Sequence, residues 1–110
     1  MIKKDIISDL DSVYNYVEDD KILGFLEIRI VDGVLDIINL FVNEENRKNK
    51  IATKLMKKMI DEEDYNRIML EVNEKNIPAI KLYSKLGFKE ISMRERYYDS
   101  DSAIIMEKVK

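Results

Sequence analysis

A chain of 110 residues, 45% hydrophobic and 37% charged, reads as one soluble domain, 1–110, able to bury roughly two-thirds of its unfolded surface. A formal charge of −3 gives no global attraction to nucleic acid or to an anionic membrane, no run approaches the ~18 apolar residues of a membrane span, and Met1 to Asp5 lead into no signal-peptide core. Zero cysteines exclude disulfides and thiol nucleophiles and fit a cytoplasmic location, while zero histidines leave acid–base work to carboxylates, tyrosines and lysines.

In chain order, residues 1–20 are acidic, and Ile6, Leu10, Val13 and Tyr14 have the spacing of a short leading helix. Ile22 to Val31 and Val34 to Val42 are β-branched runs joined by Asp32-Gly33, a two-residue hairpin signal. The second run is nearly continuous in apolar residues, as a strand covered on both faces would be. Asn43 to Asn49 reads as a polar loop. From Ile51, the sets Ile51/Leu55/Met59 and Ala52/Met56/Ile60 make one apolar helical stripe, opposed by Lys54, Lys57, Lys58 and Asp61. Arg67 to Val72 is a strand, followed by a helix that Asn76 caps, Pro78 opens and Gly87 ends. Ala79, Leu82, Tyr83 and Leu86 share one face of that helix. Phe88 to Met93 and Ala103 to Met106 close the chain as strands. Strand alternating with helix in the middle predicts parallel pairing through right-handed crossovers, flanked by antiparallel hairpins.

Several of these positions have chemistry to offer. The segment Arg47-Lys48-Asn49-Lys50 opens a helix, where free N–H groups attract anions; the bland alternative, a solvated basic surface, is the commoner arrangement on composition alone. A nucleic-acid patch would need interleaved aromatics, which the stretch lacks. Glu71 is the one carboxylate in an apolar strand, either a water-facing acid or a proton acceptor. Tyr83 is a phenol on an apolar stripe, either a core tyrosine or a proton donor.

Asn76 to Phe88 fills every fixed position of N-x-x-A-x-x-L-Y-x-x-x-G-F, and Leu40-Phe41-Val42 followed by Arg47 to Ala52 looks like a strand and loop of the pattern Q/R-x-x-G-x-G/A. In these segments residues 20 to 110 resemble the GNAT acyl-CoA N-acyltransferases. Glu71-Val72 before Asn76, and Arg94-Glu95-Arg96-Tyr97-Tyr98, resemble the ribosomal-protein alanine N-acetyltransferase branch. The resemblance implies an α/β (α+β) three-layer fold around a mixed, mostly antiparallel sheet. It also implies an acetyltransferase using acetyl-CoA and no metal. The favoured acceptor is a protein N-terminus, that of a ribosomal protein being one such, with a small amine or a lysine as runner-up. A domain that only binds CoA or a protein partner is the reading from another class.

Carried onto this chain, the resemblance assigns Glu71 as base and Tyr83 as acid, with a backbone N–H near Val42 polarising the thioester. It gives Leu40, Phe41, Val42, Arg47, Lys48, Asn49, Lys50, Ile51, Ala52, Thr53, Asn76 and Tyr83 to the cofactor, and Arg94, Tyr97 and Tyr98 to the acceptor. Two departures stand out. Lys50 occupies the place of the loop's first glycine, and only about 20 residues precede the hairpin where relatives carry a first strand and two helices. A sheet shortened in this way is expected to expose Ile28, Ile30 and Leu35 and to form a homodimer through residues 1 to 35.

Overall fold

The computed structural model describes the backbone of all 110 residues and the side chains of all but Lys48 and Tyr98. Seven strands form one mixed sheet: β1 (Ile2–Ile6), β2 (Asp11–Glu18), β3 (Lys21–Val31), β4 (Val34–Val42), β5 (Arg67–Asn73), β6 (Lys89–Tyr98) and β7 (Asp101–Val109). Helix α1 (Ile51–Glu62) links β4 to β5, and α2 (Ile77–Lys85) links β5 to β6. The strand order is β1-β2-β3-β4-β5-β7-β6. Every neighbouring pair is antiparallel except β4 and β5.

The leading helix is not there. Ser8 accepts the Leu10 and Asp11 N–H groups at 3.2 and 3.1 Å and turns β1 onto β2, pairing Ile2 with Tyr16 and Ile6 with Ser12. Two of the four residues with helical spacing, Ile6 and Leu10, are exposed, whereas Tyr14 is fully buried. The operative period is two, favoured by the valines and tyrosines of β2. A first strand is thus present, joined to β2 by four residues with no helix between them.

The β3–β4 hairpin forms as expected, with Asp32 at φ 50° and Gly33 at φ 80°, the pair of positive angles a tight primed turn requires. Residues 44–49 wind as a 3₁₀ turn rather than open loop. Only one of the two expected parallel pairings joins neighbours, because β7 inserts between β5 and β6.

A single buried cluster joins Ile51, Leu55, Met56 and Met59 of α1, Tyr83 of α2, and Ile68, Leu70 and Val72 of β5. Both helices therefore lie on the sheet face to which those β5 residues point. β1 and β2 are joined by four residues alone and both helices lie on one side, so the other face of the sheet is open. On it, Ile38 and Phe41 are 48% and 46% exposed, so β4 is covered on one face and not on both. Ile28 and Leu35 are buried under α1 and Ile30 packs against the same core, so the three residues expected to form an exposed patch do not form one.

Candidate active site at a notch in the sheet

β4 and β5 pair at only three positions, Val34 with Arg67, Leu35 with Ile68 and Asp36 with Met69. Beyond them β4 stays with β3 as far as Val42, and β5 stays with β7 as far as Asn73. A notch opens between 37–42 and 70–73. Its cause is a shift in the β3–β4 register: Ile28 faces Ile37 but Glu27 faces Asn39, so Ile38 is an extra residue that bends β4 away from β5. The Asn43 N–H donates to Leu23 at 2.8 Å on the β3 side. Strand alternation then turns the Phe41 N–H toward β3 and those of Leu40 and Val42 toward the notch.

The helix-side cavity holds about 450 Å³. Leu40, Phe41 and Val42 form one wall, Arg47 and Ala52 the end, and Asn76, Pro78, Ala79, Leu82 and Tyr83 the other wall. Gly24 keeps this end tight: a Cβ there would stand 2.8 Å from the Phe41 carbonyl and 3.2 Å from Ile51 Cγ2. The first helical bond of α1 runs from the Lys54 N–H to the Lys50 carbonyl at 3.1 Å, so the N–H groups of Ile51, Ala52 and Thr53 have no intrahelical acceptor. Arg47 Nε donates to the Val42 carbonyl at 3.3 Å, which fixes its cation beside them. Free N–H groups beside a cation are the chemistry that attracts an anion.

Lys50 adopts φ 58°, the left-handed conformation that glycine takes most readily, so the lysine carries backbone strain at this corner. Its side chain, like that of Asn49, is exposed and does not line the cavity; Ile51 is in the core and Thr53 is half-buried. Their contribution is the loop and the helix start. The Lys48 side chain lies outside those described. Asn76 caps α2, its Oδ1 accepting the Ala79 N–H at 3.3 Å. The Tyr83 ring tilts against Phe88 with centroids 5.9 Å apart, and burial pushes its phenol above the ordinary value. Among the described residues nothing hydrogen-bonds the Tyr83 hydroxyl.

Glu71 points the other way from Leu70 and Val72, to the open face. There a second cavity of about 590 Å³ contains Asp36, Ile38, Met69, Glu71, Arg94 and Tyr97 among its walls. Arg94 Nη2 meets Glu71 Oε1 at 2.9 Å, and its guanidinium lies 4.8 Å from the centre of the Tyr97 ring. An irregularity between Arg94 and Tyr98, with Arg96 at φ 52°, aims this part of β6. The Tyr98 side chain is not among those described. Glu71 and Tyr83 thus line different cavities on opposite faces, with the notch between them.

Sequence reasoning missed Pro78, Ala79 and Leu82 as lining residues, although Ala79 and Leu82 are fixed positions of the segment that marked the helix. It also missed Asp36 and Met69, whose place depends on the pairing of β4 with β5.

Comparison with known proteins adds independent findings. Residues 3–88 match the acetyltransferase (GNAT) family. The chain is 35% identical over 104 residues to an N-alpha-acetyltransferase of Saccharolobus solfataricus, covering 87% of this chain and 62% of that protein. It is 30% identical over 95 residues to the ribosomal protein bS18-alanine N-acetyltransferase of Salmonella typhimurium, covering 80% of this chain and 64% of that one. It therefore spans less than two-thirds of the length of these relatives. The crystal structure of the ribosomal-protein-S18-alanine N-acetyltransferase of Escherichia coli superimposes with a TM-score of 0.89 at 26% identity, over 93% of this chain and 70% of that one.

Proposed function

Because the chain belongs to the acetyltransferase (GNAT) family, we propose that it transfers an acetyl group from acetyl-CoA to a primary amine, with a protein N-terminal α-amino group as the favoured acceptor. A ribosomal protein N-terminus is one such acceptor, by analogy with the relatives' names. The observation that carries the reading is the notch, with an anion site and Tyr83 on one side and Glu71 on the other.

The three free N–H groups of α1 and Arg47 fit the diphosphate of CoA, and the wall between β4 and α2 fits its extended arm. The thioester then reaches the notch, where the Val42 N–H faces its carbonyl oxygen and stabilises the charge that develops there. An α-amino group has a reference pKa of about 8, so most of it arrives protonated at neutral pH. Glu71 takes that proton, directly or through one water. The freed amine attacks the carbonyl in a ternary complex, the C–S bond breaks as Tyr83 gives its proton to the departing thiolate, and the extra proton on the attacking nitrogen leaves through water, which returns one to the Tyr83 phenolate. A phenol is protonated at neutral pH, the form a donor needs, and burial pushes Tyr83 further in that direction. With no cysteine in the chain, no acetyl-thioenzyme on a cysteine lies on this path.

One observation favours a second reading, a domain that binds CoA without catalysis: Arg94 already occupies a Glu71 oxygen. The test that separates the two is CoA release on mixing the protein with acetyl-CoA and a panel of peptides. The absence of cysteine leaves no protein background in a thiol assay. Release with at least one peptide is expected. Acetyl-CoA is also expected to raise the melting temperature, less so at high salt, since the contact is ionic. No thermal shift at millimolar acetyl-CoA overturns both readings; a shift without release with any amine leaves the second.

A further inference from the structure

We propose that Asp36 is a specificity residue of the acceptor cavity, binding a second positive charge carried by the acceptor about 8 Å from the amine that reacts. The proposal deepens the acetyltransferase reading and rests on it for the identity of the cavity.

The argument begins with charge. On the open face the ionic side chains around the notch cancel in pairs. Arg94 meets Glu71 at 2.9 Å, and Arg67 meets Glu107 at 3.0 Å. Arg29 lies directly across the β3–β4 pair from Asp36 and is the natural partner for it. Its fork is instead spent on Asp11, with Nε to Oδ1 at 2.7 Å and Nη2 to Oδ2 at 3.0 Å. Among the described residues Asp36 has no hydrogen bond or ion pair, and only its field reaches Arg29. It is half-buried in the wall of a cavity of about 590 Å³, a size suited to a ligand of a few residues. A carboxylate so placed, partly desolvated and without a cation, attracts one.

Geometry sets which cation. Asp36 is level with Met69 in the parallel pair, and Glu71 follows Met69 by two residues on the same face. The offset is therefore about 6.6 Å along the strand and about 4.8 Å across it, or about 8 Å at the backbone. An extended peptide repeats its side-chain direction every two residues, also about 7 Å. An acceptor whose α-amine sits at Glu71 brings a side chain of its second or third residue to Asp36. Lys or Arg there completes the pairing, with its alkyl stem against Ile38 and Met69.

The experiment uses three peptides identical except for Arg, Gln or Glu at positions two and three. Dissociation constants come from fluorescence anisotropy and kcat/KM from CoA release, for wild type, Asp36→Asn and Asp36→Lys. Wild type should favour the Arg over the Gln peptide by about two- to fivefold in both measures, a ratio set by one partly exposed ion pair and reduced by salt. In Asp36→Asn the ratio should fall to about one, and in Asp36→Lys the Glu peptide should overtake the Arg peptide. Equal binding of the Arg and Gln peptides by wild type, or an undiminished ratio in Asp36→Asn, overturns the proposal. Charge-selective binding that depends on Asp36 without CoA release upholds it and counts against the acetyltransferase reading. CoA release without charge selectivity does the reverse.

Discussion

On the proposed reading Glu71 and Tyr83 serve different protons, and their substitutions should then separate on a pH axis. Glu71→Gln removes the acceptor for the ammonium proton. Its rate should fall most below the amine's pKa of about 8 and recover toward wild type above it, where the amine arrives neutral. A deficit that is constant across pH assigns Glu71 to structure instead. Tyr83→Phe removes the proton given to the thiolate. It should lower kcat by roughly 10²–10⁴-fold at every pH and leave acetyl-CoA affinity almost unchanged, since the ring still fills its place beside Phe88. A wild-type kcat in that variant would make Tyr83 a packing residue.

At the scale of elements, Tyr14 ties the N-terminal hairpin to the end of α1. Its hydroxyl donates to Glu63 and lies 3.3 Å from Glu62, while Lys4 of β1 meets Glu63 at 2.7 Å. Burial and the two carboxylates push the Tyr14 phenol far above its ordinary range, so it is a donor at any physiological pH. Tyr14→Phe should cost roughly 1–2 kcal/mol in chemical denaturation, the loss of a partly buried hydrogen bond to a charged acceptor. No change in the denaturation midpoint would mean that water replaces the bond at no cost. The same residue shows where sequence reading stops. Tyr14 falls at a helical interval from Ile6 and Leu10, and only the pairing of β2 with β3 tells that its true neighbours are Leu26 and its own alternate residues. By contrast α2 was legible to the residue, because its cap, its first-turn proline and its stop are local. The walls of the site divide in the same way. Tyr83 and Asn76 were readable from one short segment, whereas the contact of Arg94 with Glu71 passes across β7, whose register no local pattern reveals.

For the whole molecule, three carboxylates are held charged by basic partners, two across the fold and one within α1. Arg29 holds Asp11 below its ordinary value, Lys58 does so for Glu62, and Lys75 with Asn73 for Asp101. A native pKa below the unfolded one adds stability that is present above the unfolded value and disappears as pH falls through the native one. Stability should therefore be flat near neutral pH and drop progressively from about pH 4.5 downward. Melting temperatures across pH 2–7 check this, and Arg29→Met should shallow the acid limb by removing one contributor. An acid limb identical to wild type in that variant would deny Asp11 any part in it.

The three residue pairs between β4 and β5 have a mechanical consequence as well. The sheet is in effect two antiparallel ribbons, β1 to β4 and β5 to β7, stitched together along one short seam and spread apart at the other end like the jaws of a clothes-peg. Whatever fills the notch touches both ribbons at once, so on the proposed reading acetyl-CoA would be a clasp as well as a donor. On this view the empty chain is held along that line chiefly by the packing of α1 and α2 beneath it, and the loaded chain gains a second fastening at the end where hydrogen bonds are fewest.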